Sequence, residues 1–261
     1  MISEISLMNE TKHLLSFVRR AVDDYSMIDD GDKIAVGISG GKDSLALLCA
    51  LADLRRFYSK KFDIIALTVD MGFEGTDYSP ISKLCEELDV QYHIIPTQLA
   101  QIIFEERKEK SPCSLCAKMR RGVIHSSAKE LGCNKVALGH HFDDVVETFI
   151  LNLFFEGRLG CFSPVTYLSR KDITLIRPLI YMPEKDVRYF ASKNDLPVVK
   201  SLCPADGNTQ REEMKKLLGE LDRKHKGLRY RIFGALQRGE IDGFKETGRL
   251  KGIGAYSEED E

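Results

Sequence analysis

An apolar run, Lys33-Ile34-Ala35-Val36-Gly37-Ile38, enters the loop Ser39-Gly40-Gly41-Lys42-Asp43-Ser44, and a helix-patterned stretch from Leu45 to Phe57 leaves it. Glycines permit backbone turns that a Cβ forbids. Amides at the helix start point outward with the positive end of the dipole behind them, which suits a phosphate. Lys42 adds a point charge, and Ser39 and Ser44 add hydroxyls. The loop is not the Walker type. That pattern, G-x-x-x-x-G-K-[ST], requires a glycine where Val36 stands and a hydroxyl where Asp43 follows the lysine. A glycine-rich surface turn is the plain alternative, and strand, lysine, aspartate and helix in one register argue against it.

Strand and helix signals then alternate. Phe62 to Val69 is a nearly continuous apolar run, as a buried parallel strand requires, and it ends at Asp70-Met71-Gly72. A helix over Pro80–Leu88 precedes a strand over Gln91–Ile95, and a charged helix spans Thr97–Lys110. A helix over Arg120–Leu131 leads to a strand over Lys135–Gly139, and the next helix opens in Gly139-His140-His141-Phe142-Asp143-Asp144 and reaches about Phe155. Ile173–Ile176 reads as a strand, and Pro183–Asn194 as a helix with proline in its first turn. Leu196–Val199 is short and extended, helices follow over Asn208–Leu221 and Leu228–Leu236, and the end from Asp242 is expected to fray. Residues 7–26 have helical apolar spacing and form a leading helix that packs on the domain or on a partner subunit. The alternation predicts an α/β fold: a doubly wound, parallel, five-stranded sheet with a leading helix and C-terminal helices. The expected division is an N-terminal helical segment (1–30), an α/β domain with a C-x-x-C insertion (31–200) and a basic helical segment (201–261). Ligands in such sheets sit at the carboxyl ends of strands, which puts Ser39, Val69 and Gly139 along one rim.

A chain of 261 residues can bury a sizeable core. No apolar run approaches membrane length, and Met1–Asn9 does not read as a signal peptide. Seven cysteines without a secretion signal argue for a reducing cytoplasm, and for thiols or metal ligands over disulfides. The net charge of −2 does not itself point to nucleic acid, but its distribution does: Arg223–Arg238 holds six Lys or Arg and no acid, while Ser257–Glu261 is acidic. That basic run can track phosphates, with Tyr230 or Phe233 stacking on an unstacked base; a basic helix that merely packs is the plain reading.

Cys113 and Cys116 form a C-x-x-C, a spacing that allows zinc, an iron–sulfur cluster or a redox dithiol. Lys118, Arg120 and Arg121 are expected to lower thiolate pKa and to hold negative charge nearby. Structural zinc wants four protein ligands, and there is no second C-x-x-C. Cys49, Cys85, Cys133 and Cys161 lie in apolar or helical settings and read as structural thiols. Cys203 stands apart, in a loop beside Pro204 and Asp206-Gly207. A three-cysteine site with one open position is the economical reading.

Ser39–Ser44 after a strand resembles the PP-loop of the ATP pyrophosphatases, which cleave ATP between its α and β phosphates and leave an adenylylated substrate. Pro112-Cys113-Ser114-Leu115-Cys116 with Arg120-Arg121-Gly122, Gly139-His140-His141-x-Asp143-Asp144, Ile176-Arg177-Pro178-Leu179, Glu184-Lys185-Asp186 and Asn208-x-Gln210-Arg211 follow in order. Together, over roughly residues 10–240, they are similar to the tRNA 2-thiocytidine synthetase family. The resemblance implies an adenine-nucleotide α-hydrolase-like fold. It also implies that Ser39, Gly40, Gly41, Lys42, Asp43, Ser44, Val69 and Gly139 hold ATP, with Val69 contacting the adenine through its main chain. Mg²⁺ would neutralise the pyrophosphate with Asp43 as a ligand. A [4Fe–4S] cluster would sit on Cys113, Cys116 and Cys203, its fourth iron free for sulfide. Asp43, Arg120 and Asp144 are the implied catalytic residues, with Asp143 assisting; Arg120 stands where the 2-thiouridine relatives carry a catalytic lysine. The implied activity is ATP-dependent sulfur transfer to tRNA cytidine by a cytoplasmic homodimer, with sulfide or a cysteine desulfurase as sulfur donor.

This chain has one cysteine in Lys200–Gly207 where the family often has C-x-x-C-G-S, and it lacks the paired terminal C-x-x-C motifs of the 2-thiouridine branch. Asp143 and Asp144 can also serve as helix-start caps, Arg120 and Arg121 as a solvated face, and His140 and His141 point in different directions, against a shared metal. Lysidine synthesis, another thiolation and an adenine-nucleotide sensor are the competing functions.

Overall fold

The computed structural model describes residues 4–107, 112–200, 202–204 and 210–247. Asp206-Gly207, Asn208 and the acidic tail singled out above lie outside them. The chain divides into two compact units, Met1–His141 with Val165–Asp206, and Phe142–Pro164 with Gly207–Glu261.

The first unit is built on a sheet of β1 (Asp32–Gly37), β2 (Phe62–Asp70), β3 (Gln91–Pro96), β4 (Lys135–Ala137), β5 (Val165–Leu168) and β6 (Ile173–Ile176). Their order is β3-β2-β1-β4-β6-β5, and all pairs are parallel except β5 with β6. The predicted five-stranded parallel sheet is therefore present, with a sixth, antiparallel strand added at its edge. β5 is only four residues long, and the chain returns from it through Asp172 in a left-handed conformation. β1 and β2 are buried nearly throughout, as their apolar runs require. Ala35, Ile65, Leu67, Val136, Ile173 and Leu175 form one core with Ala128 and Cys133.

Helix α1 (Glu4–Asp24) packs on α2 (Lys42–Phe57) and on α7 (Glu184–Lys193), burying Leu14, Val18, Ala21 and Val22. Of its two expected roles, packing on the domain is observed; Tyr58 and Tyr181 donate to Asp23 and Asp24 near its end. α3 (Ser79–Glu87) joins β2 to β3. The helix expected over Thr97–Lys110 is a short α4 (Leu99–Gln101) running into a π-turn, Ile102–Glu106. α5 spans Pro112–Glu130, so it begins eight residues before the expected start at Arg120 and carries the C-x-x-C on its first turn.

The second unit contains α6 (Phe142–Phe155), α8 (Gln210–Lys224) and α9 (Leu228–Arg238). Phe142 stacks on Phe233 at 4.9 Å and on Tyr230 at 4.8 Å. Phe233 is fully buried and meets Phe244 edge-on at 5.6 Å. Of the two aromatics expected to stack on a base, Phe233 is a core residue and offers no face to one. Of the end expected to fray from Asp242, the residues to Thr247 are described and include the buried Phe244; the rest lies outside the described residues.

At the amino ends of β1 and β4, Lys135 lies 2.7 Å from Asp32 and 2.9 Å from Asp29, and it donates to the Met27 carbonyl. Asn134 and the Asp29 amide complete the shell of Asp32. Lys135 and Asp32 are 9 % and 4 % exposed, so removing Lys135 strands a buried carboxylate, and removing Asp32 leaves the buried ammonium to the solvent-exposed Asp29. Asp32→Ala should cost about 3–5 kcal/mol in urea unfolding, and the Asp32→Ala/Lys135→Met pair should recover part of it; additive losses would overturn this account.

Candidate nucleotide and thiol site

The strand order reverses between β1 and β4, and in such sheets the crevice outside their carboxyl ends takes the ligand. The loop leaving β1 is knotted by its serines. The Ser39 amide donates to Ser44 Oγ at 3.1 Å, the two hydroxyls are 3.2 Å apart, and Ser44 Oγ donates to the Gly41 carbonyl at 2.9 Å. Gly40 has φ of +81°, and a Cβ there would lie 3.2 Å from Val199 Cβ. The Val199 amide also donates to the Gly40 carbonyl at 3.0 Å. At Gly139 a Cβ would lie 3.0 Å from the Asp43 carbonyl carbon and the Ser44 nitrogen. Gly139 therefore lets the chain after β4 press backbone to backbone against the first turn of α2.

Lys42 bridges Asp43 at 3.0 Å and Glu184 at 3.1 Å; Glu184 also takes Arg188 at 3.2 Å. Burial works against the lysine charge, but Asp43 and Glu184 outweigh it and raise the Lys42 pKa. Asp43 Oδ1 is buried with no hydrogen-bond partner, and His141 Nε2 lies 3.7 Å away. A buried carboxylate oxygen without a hydrogen bond, beside this glycine-rich loop, suits magnesium, a hard cation that takes carboxylate oxygens.

Val69 closes this rim. The Leu67 carbonyl accepts from Ile38 and the Asp70 carbonyl from Thr97, so by alternation the main-chain groups of Val69 face the β1 side, beyond the last β1–β2 pair, Gly37 with Leu67. That is the placement a main-chain contact to adenine needs.

The thiols gather on the same unit. Val69, Leu99 and Ile103 form a small core against which Leu115, Cys116 and Met119 of α5 pack. Cys113 and Cys116, three residues apart on a helix, share a face. Cys116 feels the charges of both Cys113 and Cys203, and Arg120 bonds to it. Burial raises the Cys116 pKa, and Arg120 opposes the shift without cancelling it. The expected lowering by the following cations is thus overturned at Cys116: Arg121 turns back to the Ala117 carbonyl, and Lys118 is exposed. Cys113 is exposed and Cys203 half-buried, while Cys49, Cys85, Cys133 and Cys161 are buried. Among the described residues no group of three His, Cys, Asp or Glu side chains converges on one metal-ion position. Cys113, Cys116 and Cys203 are all thiols, the donor set that iron–sulfur clusters take.

A model of the PP-loop domain family matches residues 10–221. The tRNA-cytidine(32) 2-sulfurtransferase of Geobacter sulfurreducens is 42% identical over 86% of this chain and 89% of its own. Its namesake in Pseudomonas entomophila is 40% identical over 87% and 83%. The chain belongs to the PP-loop family of tRNA-cytidine(32) 2-sulfurtransferases. Among solved structures, the U34-tRNA thiolase NcsA from Methanococcus maripaludis with its [4Fe-4S] cluster is similar, with a TM-score of 0.71 and 27% identity over 85% of this chain and 77% of that one. No helix among the described residues is long and apolar enough to cross a membrane.

In the second unit, α6 presents Asp143, Asp144, Glu147 and Thr148, and two arginines hold them. Arg229 lies 2.8 Å from Asp143 and 3.5 Å from Glu147. Arg211 lies 3.2 Å from Asp144 and donates to Thr148 Oγ1 at 2.9 Å. Arg229 is 13 % exposed and Arg211 is 45 %. Breaking the buried pair costs about 3–5 kcal/mol, and exchanging the exposed one about 0.2–1 kcal/mol. In the sequence, Glu184 and Arg211 stand in motifs without a role, Val199 ends an extended stretch, Arg229 falls in the basic run read as a phosphate track, and Glu147 is not singled out. No periodicity marks such long-range pairs.

Glu147 is almost fully buried, and burial together with Asp144 pushes its pKa up to about 7 against the pull of Arg229, Arg211 and Lys215. A carboxyl whose folded pKa exceeds its usual 4.5 favours the fold while protonated. That contribution is complete below the usual value and is lost as pH rises through 7. Glu147→Gln should therefore gain on the wild-type melting temperature between pH 5 and 8; a constant difference would show that Glu147 is ionised throughout.

Proposed function

We propose that the chain thiolates cytidine in tRNA at the expense of ATP, at position 32, for which its relatives are named. The observation that carries this reading is the sharing of one rim by loop and thiols: Cys116 packs on the core of Val69, and Val199, four residues before Cys203, is bonded to Gly40.

ATP lies with its phosphates on Ser39, Gly40, Gly41, Lys42 and Ser44 and its adenine on the Val69 main chain. Asp43 would hold Mg²⁺, which would neutralise charge on the pyrophosphate. Cys113, Cys116 and Cys203 would hold a [4Fe–4S] cluster, which would supply a Lewis-acidic iron for the incoming sulfur. Lys42 exchanges Glu184 for phosphate oxygens, and Gly139 keeps the first turn of α2 in place. The cytosine 2-oxygen attacks the α-phosphorus and pyrophosphate leaves, which converts a poor leaving oxygen into AMP. Positioning and fixed charge carry most of the acceleration. Arg120, on the helix that bears the thiols, faces developing phosphate charge with its guanidinium fork. Asp144 is assigned to the chemistry by its place in the Gly139–Asp144 motif, with Asp143 beside it in sequence. Sulfide, supplied as such or released by a reductant from the persulfide of a cysteine desulfurase, then attacks C2, and the former 2-oxygen leaves with AMP. The assembly is a cytoplasmic homodimer.

Cells lacking this chain should lose 2-thiocytidine from their tRNA nucleosides by mass spectrometry, and an unchanged profile would discard the cytidine acceptor. Asp43→Asn should lower tRNA-dependent pyrophosphate release by about 10²–10³-fold. Cys203→Ser should abolish thiolation while the ATP half-reaction persists.

A further inference from the structure

Helix α5 has no side chain at Gly122, which is exposed, and a Cβ built there meets nothing within 4 Å. Side chains on a helix lean toward its N-terminus, so His125 leans over the turn that carries Arg121 and Gly122. His125 is 8 % exposed, and its Nε2 is buried with no hydrogen-bond partner among the described residues. Burial, and then the charges of Arg121, Lys171 and Arg177, hold the pKa of the ring below its usual 6.5. At neutral pH the ring is uncharged and can carry its proton on Nε2. The charged groups that act on it are all cations. Arg121 gives its Nε to the Ala117 carbonyl at 3.1 Å, and the fork beyond belongs to an exposed side chain. Lys171 donates to Ser126 Oγ at 3.0 Å, and Ser126, four residues after Gly122, is its neighbour on the helix surface. Arg177, buried at the end of β6, donates to Thr166 Oγ1 at 3.3 Å. The acids of α5 and of the turn 169–172 are Glu130 and Asp172. Asp172 is taken by Lys129 at 2.7 Å and by Tyr167 at 3.0 Å. A buried neutral donor among cations, behind an open gap in a helix surface, is matched to an anion with several acceptor oxygens.

We infer that Gly122 floors a seat for one phosphodiester of the RNA backbone, with Arg121 and Lys171 at its sides and His125 Nε2 donating from behind. The two surface cations are exposed and can swing to admit the phosphate to the buried nitrogen. The seat lies six residues past Cys116, about 9 Å along the axis of α5. A phosphate held there would fix the strand that presents the target base beside the thiols. The inference rests on the reading above that the substrate is tRNA, in which the loop Ser39–Ser44 already takes the phosphates of ATP. It gives Arg121 a duty of its own, apart from that of Arg120, which bonds to Cys116.

The test uses the full-length, cluster-loaded enzyme and unmodified tRNA. Gly122→Ala puts a methyl group into open space and removes a helix glycine, so it should melt above wild type. Gly122→Glu fills the seat with an acid. It should melt no lower than wild type and yet bind tRNA about tenfold more weakly, with Gly122→Gln falling between the two. Each phosphate contact contributes about 0.7–0.9 to the slope of log binding constant against log salt. Arg121→Gln should flatten that slope by one such step, and Arg121→Lys should restore it. Wild-type affinity in Gly122→Glu, or a wild-type slope in Arg121→Gln, overturns the seat. A changed KM for ATP with unchanged tRNA binding assigns the gap to nucleotide phosphate and overturns it too. If the variants bind tRNA as wild type does while 2-thiocytidine is made, the seat fails and the function stands. If tRNA binding weakens as expected but wild type forms no thiolated nucleoside, the functional reading fails and the seat stands.

Discussion

The first unit depends on one close approach, that of Gly139 to the opening turn of α2. A side chain at Gly139 would put its Cβ 3.0 Å from main-chain atoms of Asp43 and Ser44. Backbone cannot yield as the end of a flexible side chain can. The contact therefore sets the distance between the β1 loop and the chain leaving β4, the two lips of the crevice where the strand order reverses. Gly40 repeats the device on the other side, where its left-handed conformation brings Val199 against the loop. The turn Ser39–Ser44 is thus held by backbone on both flanks, and its amides are fixed in place. Such preorganisation saves reorganisation during reaction, where electrostatic stabilisation counts most.

The same economy shapes the thiols. Cys116 lies on an apolar core, and burial disfavours its thiolate more than Arg120 favours it. A freely reactive dithiol would need the opposite balance, since nucleophilic cysteines have depressed pKa values. Metal ligation, unlike disulfide exchange, couples binding to deprotonation, so a thiol held in this way is compatible with it.

What the sequence made legible was local. The strand–loop–helix around Ser39–Ser44 could be read because each requirement falls within about ten residues: an apolar run, two glycines, a cation and a helical period. The start of α5 was missed although Leu115, Cys116, Met119 and Val123 stand at helical spacing and pack on the Val69 core; the C-x-x-C was read there as an insertion instead. Pro112, well suited to a first helical position, was another available signal. Phe233 was misread because the surrounding cations suggested a nucleic-acid face. The spacing of Phe233, Leu236 and Gln237, at i, i+3 and i+4, already described a buried helical face. Contacts such as Lys42 with Glu184 or Arg229 with Asp143 join residues far apart in the chain, and only the fold brings them together.

The acidic start of α6 shows why a basic segment need not be a nucleic-acid surface throughout. Asp143 and Asp144 in a first turn gain from the helix dipole. Glu147 lies a turn further on, buried, where the dipole no longer helps and Asp144 repels it. A guanidinium is the economical remedy, because its planar fork serves two carboxylates without changing its own protonation. Once Arg229 has been committed in this way it is no longer available to a ligand, whatever the net charge of the helix that bears it. Arg231 is likewise tied to the carbonyls of Lys226 and His225. Summing charges over Arg223–Arg238 therefore overstates what that stretch offers to phosphate. The cations that count are those whose present partners are solvent or can be replaced at little cost, and burial separates them from the rest.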